Sequence, residues 1–194
     1  MGGGTEIPTS ALVRLEFTGR WVPVMRTIIR LSLFVVQTFC LATIVAAGPA
    51  QAREVVNFSA APPGTIVVKT QERRLYYVTG DGRAVVYPVG VGRKGKQWSG
   101  ESYIAGKYLK PAWSPPEEVR HDKPTLPSVI PGGVPGNPMG AAAMTIAGDE
   151  YAIHGTNDPK SIGGFVSYGC IRMYNQDVVD LFSRVQVGTR VIVQ

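Results

Sequence analysis

The stretch IHGTNDPKSIGGFVSYGCIRMYNQDVVDLF, residues 153–182, decides how the rest of the chain is read. It opens at the end of a strand-like run, YAIHG, and passes through a segment rich in glycine and turn formers. It reaches Cys170 sixteen residues after His154. A helix pattern follows. Val178, Leu181, Phe182 and Val185 fall at i, i+3, i+4 and i+7, which is one apolar face. Asn175 stands at the N-cap position and Asp177 in the first turn, where a carboxylate complements the helix dipole. Gly188 closes the segment, and TRVIVQ (189–194) reads as a last strand.

Working back from this stretch, the signals are those of strands. TIVVKT (65–70) and RRLYYVT (73–79) are β-rich, and Asp81-Gly82 fits a hairpin turn into AVVYPVGVG (84–92). SYIAGKYL (102–109), AMTIAG (143–148) and YAIHG (151–155) continue the strand character. Residues 111–140 hold so much proline and glycine that neither helix nor central strand is expected there. A loop of that length in a compact domain is usually functional or disordered. The expected fold is mostly β with one helix, placed after Cys170.

The chain carries two cysteines. Cys40 lies in the uncharged run LSLFVVQTFCLATIVAA (31–47), behind Arg26 and Arg30 and ahead of Ala50-Gln51-Ala52. Positive region, apolar region and small-residue site, in that order, spell a secretory signal peptide cleaved after Ala52. If left uncleaved, the run is nearly long enough for a membrane anchor. The organisation expected is residues 1–52 as N-terminal extension plus signal peptide, 53–64 as linker and 65–194 as the functional domain. Four arginines and two glutamates fall before residue 53, so the remainder carries +4 of the chain's +6. No basic block points to nucleic acid.

Past residue 52, Cys170 has no partner for an intramolecular disulfide. In an exported protein an odd cysteine points to intermolecular pairing or to a reactive thiol, against the plain alternative of a small buried hydrophobe. A reactive thiol needs a base, because the thiolate attacks and a free thiol titrates only near ~8.5. His154 is the candidate; His121, between Arg120 and Asp122, reads as solvent-facing. The helix start near Asn175 favours a thiolate and bends the chain before it, so the amides of Tyr168, Gly169 and Cys170 can converge on an oxyanion. Arg172 adds positive potential and suits either a substrate carboxylate or an ion pair. Asp149, Glu150 and Asp158 are near in sequence, but none is an obvious third member, and a backbone carbonyl can orient a histidine equally well. One cysteine and one or two histidines fall short of a closed structural zinc site, so no metal or cofactor is expected.

GVGRKGKQ (90–97) matches G-x-G-x-x-G and most of a P-loop, but Gln97 stands where Ser or Thr should hold magnesium, and WSGES follows instead of a helix. A glycine-rich bend between strands is expected, with no nucleotide.

The segment quoted at the outset closely resembles the catalytic segment of YkuD-type L,D-transpeptidases. Their pattern is a histidine, a gap of this length, Ser/Thr-x-Gly-Cys, an apolar residue and Arg or Asn. It is filled here by His154, Ser167, Gly169, Cys170, Ile171 and Arg172, and YPVGVGRKG (87–95) and PAWSPP (111–116) are similar too. The resemblance implies a β-sandwich-like catalytic domain and a cysteine acyltransferase. It implies attack on a peptidoglycan stem tetrapeptide at the L-centre of its diamino acid, loss of D-alanine, and transfer of the acyl group to an amine of another stem, a 3→3 cross-link. Some relatives attach a lipoprotein or hydrolyse such links; a wall-binding module with a structural cysteine is a third reading. By position, Cys170 is the nucleophile and His154 the general base oriented by the carbonyl of Gly155. Tyr168, Gly169 and Cys170 supply oxyanion amides, with Ser167 and Arg172 grouped with them in substrate binding. The implied partners are peptidoglycan stem peptides and an envelope lipoprotein, and the implied place is the periplasm or cell envelope. Tyr168 stands where many members carry a second histidine, and WSGES (98–102) replaces a Thr-Pro continuation.

Overall fold

Strands dominate because β-branched and aromatic residues recur between turn formers, and the turns take the conformations those residues allow. Asp81 and Gly82 both have positive φ, 50° and 66°. They close the hairpin between β3 (Arg74–Gly80) and β4 (Arg83–Gly92) as the sequence leads one to expect. The computed structural model describes residues 54–148 and 151–194. The signal-peptide reading, Cys40, Asp149 and Glu150 lie outside them.

Around that hairpin run β1 (Val55–Asn57), β2 (Ile66–Lys69), β5 (Gly100–Leu109), β6 (Ala142–Ile146), β7 (Ala152–His154), β8 (Phe165–Ser167), β9 (Ile171–Met173) and β10 (Arg190–Val193). The order is β1-β4-β3-β2-β10-β5-β6-β7-β9, and β9 also pairs with β4, so the sheet returns on itself. The two longest strands make this possible by changing partners midway. β4 pairs with β3 as far as Pro88 and with β9 from Val89. β5 pairs with β10 up to Tyr103 and with β6 from Ile104. The result is two half-sheets facing across one core, the sandwich-like layout expected. The stretch read as a linker contributes β1, whose Val55 opposes Val85 of β4.

Between the half-sheets lie Ile66, Leu75, Tyr87, Ile104, Met144, Ile153 and Ile171, all essentially inaccessible. Helix α2 (Asn175–Arg184) adds Val178 and Leu181 to that core, so the apolar face read from the sequence is the buried one. A second apolar layer outside β2–β4 is capped by Phe58, stacked on Tyr76 at 4.7 Å.

The proline-rich segment differs from expectation. It holds a short helix, α1 (Glu117–Asp122), which begins directly after Pro116. Proline has no N–H to lose at a helix start, so it is tolerated there. The remainder is pinned by Asn137, which is buried. Its Nδ2 donates to the carbonyls of Pro111 and Pro131 at 2.9 Å, and Trp113 and Ile130 bridge across the segment. Residues 93–99 form the bend expected between β4 and β5, without a helix after the glycines. Among the described residues no helix is long and apolar enough to cross a membrane.

Candidate active site

His154 ends β7, and Cys170 directly precedes β9. These strands pair in parallel with Ile153 opposite Ile171 and His154 opposite Arg172, so the sheet itself brings the end of β7 beside the turn that carries Cys170. Both line one cavity of about 280 Å³, together with Ser167, Tyr168 and Arg172. Its other wall comes from the proline-rich segment, including Trp113, Val119 and Leu126. The segment thus roofs the cleft, and Trp113 faces it. His121 is 88% exposed on α1 and takes no part.

The imidazole is buried, and its Nδ1 donates to the carbonyl of Gly155 at 2.7 Å. A carbonyl only accepts, so this bond assigns the proton to Nδ1 and leaves Nε2 as the basic nitrogen. Burial, helped by the nearby Arg172 charge, pushes the His154 pKa down to about 4 against the carbonyls of Gly155 and Pro138. The Cys170 thiol is pushed up by burial, opposed by a backbone hydrogen bond from Ala152 and by Arg172. The resting pair is therefore a neutral thiol and a neutral imidazole. Among the described residues no hydrogen bond joins Sγ to the ring. Arg172 makes no ion pair among the described residues, which leaves its guanidinium available at the cavity wall.

The nucleophile turn is more constrained than its sequence implies. Gly169 N–H donates to Ser167 Oγ at 3.1 Å, and that hydroxyl donates to the Cys170 carbonyl at 2.6 Å. Ser167 therefore shapes the turn, and the Gly169 amide is engaged. Among the described residues, the N–H groups of Tyr168 and Cys170 have no hydrogen-bond acceptor, whereas that of Gly169 is taken up by Ser167. The Gly169 carbonyl accepts from Trp98 Nε1 at 3.0 Å. In a planar trans peptide the C=O and the following N–H point opposite ways, so Trp98 aims the Cys170 N–H by holding the far side of the same unit. Trp98 stacks on Tyr151, whose ring underlies Gly169. A Cβ at Gly169 would stand 2.7 Å from Tyr151 Cζ, and φ there is +126°, so glycine is required on both counts.

Tyr168 does work that the motif does not disclose. Its hydroxyl donates to Asp122 Oδ2 at 2.7 Å, and Arg93, 4.0 Å over its ring, binds the same oxygen at 3.0 Å. Those two contacts hold the Asp122 carboxyl down at about 2. Glu118 pairs with Lys96 at 2.6 Å, so α1 is tied to the β4–β5 bend at both ends. Sequence reasoning missed Trp98, Tyr151 and Asp122; only Trp98, a tryptophan beside a glycine bend, carried a visible signal. Asn175 is not an N-cap. It is the first helical residue, and its side chain turns to the backbone of residues 141 and 156.

This fold is that of L,D-transpeptidase catalytic domains: an L,D-transpeptidase from Mycobacterium smegmatis superposes with a TM-score of 0.52 at 18% identity, over 67% of this chain and 58% of that one. The chain belongs to the YkuD family, an acyltransferase family, whose model (L,D-transpeptidase catalytic domain) matches residues 63–193. "Probable L,D-transpeptidase YbiS" of Escherichia coli (strain K12) is 43% identical over 135 residues, 65% of this chain and 43% of that protein. The chain thus matches less than half the length of this curated relative. A Brucella melitensis chain described as a probable carnitine operon oxidoreductase aligns at 36% identity, over 77% of this chain and 97% of that one, with a TM-score of 0.50. The bend after Gly90, with β5 where a dinucleotide-binding helix would start, gives no support for reading this chain likewise.

Proposed function

We propose that the protein is a peptidoglycan L,D-transpeptidase of the cell envelope, with Cys170 as nucleophile and His154 as general base. The observation that carries this reading is the shared cavity. One wall holds the thiol, an imidazole whose Nδ1 is committed to Gly155, and two unpaired amides.

Because both groups rest neutral, the thiol loses its proton only as it attacks. The Sγ–H proton passes to His154 Nε2 while sulfur bonds to the carbonyl carbon at the L-centre of the stem's diamino acid. Negative charge collects on the carbonyl oxygen, toward the N–H groups of Tyr168 and Cys170; such donors are worth roughly 10²–10³ in rate each. The imidazolium returns the proton to the departing amine of D-alanine as the C–N bond breaks, leaving a thioester. An acceptor amine, from a second stem or a lipoprotein, then attacks the thioester and gives its proton to the same imidazole; the C–S bond breaks as the imidazolium returns that proton to Cys170 Sγ, leaving the new amide and the resting thiol. Arg172 offers a guanidinium for the stem's carboxylate, and Trp113, Val119 and Leu126 on the roof keep water from the thioester.

Mass spectrometry of the protein with a carbapenem and with tetrapeptide muropeptides tests this. A covalent adduct at Cys170 is expected, lost in Cys170→Ala and slowed by about 10²-fold or more in His154→Ala, the usual worth of a positioned general base. Wild-type protein that forms no adduct with either reagent would refute the reading. Cross-linked muropeptides in the product mixture identify transfer; trimmed ones alone identify hydrolysis.

A further inference from the structure

We infer that Asn175 is a positioning residue for His154, acting through the Gly155–Thr156 peptide. The inference rests on the proposed role of His154 as base.

Asn175 Oδ1 accepts from the N–H groups of Ala141, at 3.0 Å, and Thr156, at 3.1 Å, and its Nδ2 donates to the Thr156 carbonyl at 3.0 Å. The side chain thus spends its hydrogen-bonding capacity on backbone, joining the start of α2 to the chain just after β7 and just before β6. Room for it is made by glycine: a Cβ on Gly140 or Gly155 would collide with Oδ1.

The Thr156 N–H and the Gly155 C=O belong to one peptide unit. Planarity forces them to point opposite ways. Asn175 holds the N–H side, so the C=O side faces His154, where it accepts from Nδ1 at 2.7 Å. That bond selects the Nδ1–H tautomer and leaves the basic lone pair on Nε2. Release the peptide, and the ring is free to carry its proton on Nε2, the wrong nitrogen for a base. Asn175 lines a separate cavity, with Lys110 and Asn137, and is absent from the wall that holds Cys170. Its influence on the reaction must therefore pass through the backbone.

Two variants separate the contributions. Asn175→Ala removes all three bonds. Asn175→Asp keeps the size and the two acceptor bonds but sets a second acceptor oxygen against the Thr156 carbonyl. Two-bond ¹H–¹⁵N spectra of the full chain, ¹⁵N-labelled at histidine, report the tautomer directly. The chain has only His121 and His154, and His154→Ala assigns the signals. The expected result is the Nδ1–H form in wild type and a measurable Nε2–H fraction at neutral pH in both variants. In parallel, the limiting rate of carbapenem acylation falls about tenfold or more while half-saturation is unchanged, and the loss vanishes in a His154→Ala background, as non-additivity within one unit requires. An unchanged tautomer in a folded variant, or a rate loss of full size in the His154→Ala background, would overturn the inference. Should Asn175→Ala not fold, Asn175→Asp decides by its tautomer. Unimpaired acylation by His154→Ala would sink the general-base role, yet the tautomer spectra would still decide Asn175.

Discussion

Lowering the pH from 7 to 5 should destabilise the protein by an amount traceable to His154. The imidazole is buried, and its pKa is down at about 4 from an ordinary 6.5. Between those values the unfolded chain binds a proton that the folded chain refuses, so stability rises with pH through the window and is lost as pH falls. Integrating that difference gives about 2 kcal/mol lost between pH 7 and 5, and about 3 kcal/mol across the whole window. His154→Gln removes the titrating group but keeps a polar side chain. The assay is urea unfolding of wild type and variant at several pH values. Subtracting the two removes the carboxylates common to both. The difference curve should bend near pH 6.5 and flatten near pH 4, the wild type losing ground as acid is added. A flat difference, or one of opposite sign, would refute the argument that burial and Arg172 hold the ring neutral.

Three further outcomes follow from the same geometry. Gly169→Ala should cost about 2–4 kcal/mol by urea unfolding, from a left-handed backbone position and overpacking against Tyr151. It should also cut acylation roughly 10²-fold by turning the Cys170 amide away. Leu181→Ala, at a fully buried site on α2, should lower stability by about 2–5 kcal/mol in the same assay, with the thiol's reactivity toward carbapenem changed far less. Tyr168→Phe should leave stability within about 1 kcal/mol, as exposed polar contacts do. It should, however, raise hydrogen exchange across residues 117–122, because the phenol–Asp122 bond ties α1 down; unchanged exchange would count against the tie.

That Cys170 and His154 line one cavity was legible because spacing and turn composition constrain a loop, and the loop here connects strands that pair. The Asp81-Gly82 turn and the face of α2 were legible because each depends on residues close in sequence. What stayed hidden depends on distant partners. Helix α1 is only six residues long, too short to persist unaided; Arg93, Lys96 and Tyr168, all remote in sequence, hold it. Asn175 satisfied a local capping rule, yet tertiary backbone donors at Ala141 and Thr156 claimed its oxygen first. Whether the Gly169 amide is engaged turned on whether Ser167 reaches it, a side-chain rotamer that no motif encodes. Strand β1 was read as a lead-in because its three residues carry too little pattern to separate a strand from a tether.

The place of β10 sets the timing of assembly. Arg190–Val193, which follows β1–β9 in chain order, lies in the middle of the sheet order between β2 and β5, parallel to the first and antiparallel to the second. Chain synthesis delivers this strand after the nine others described. Until it arrives, the early strands meet those beside His154 and Cys170 only through the pairings of β4 with β8 and β9, and the side between β2 and β5 has no seam. A nascent chain without β10 is thus a sheet closed along one side only. Pairing of β10 is the event that closes the second seam.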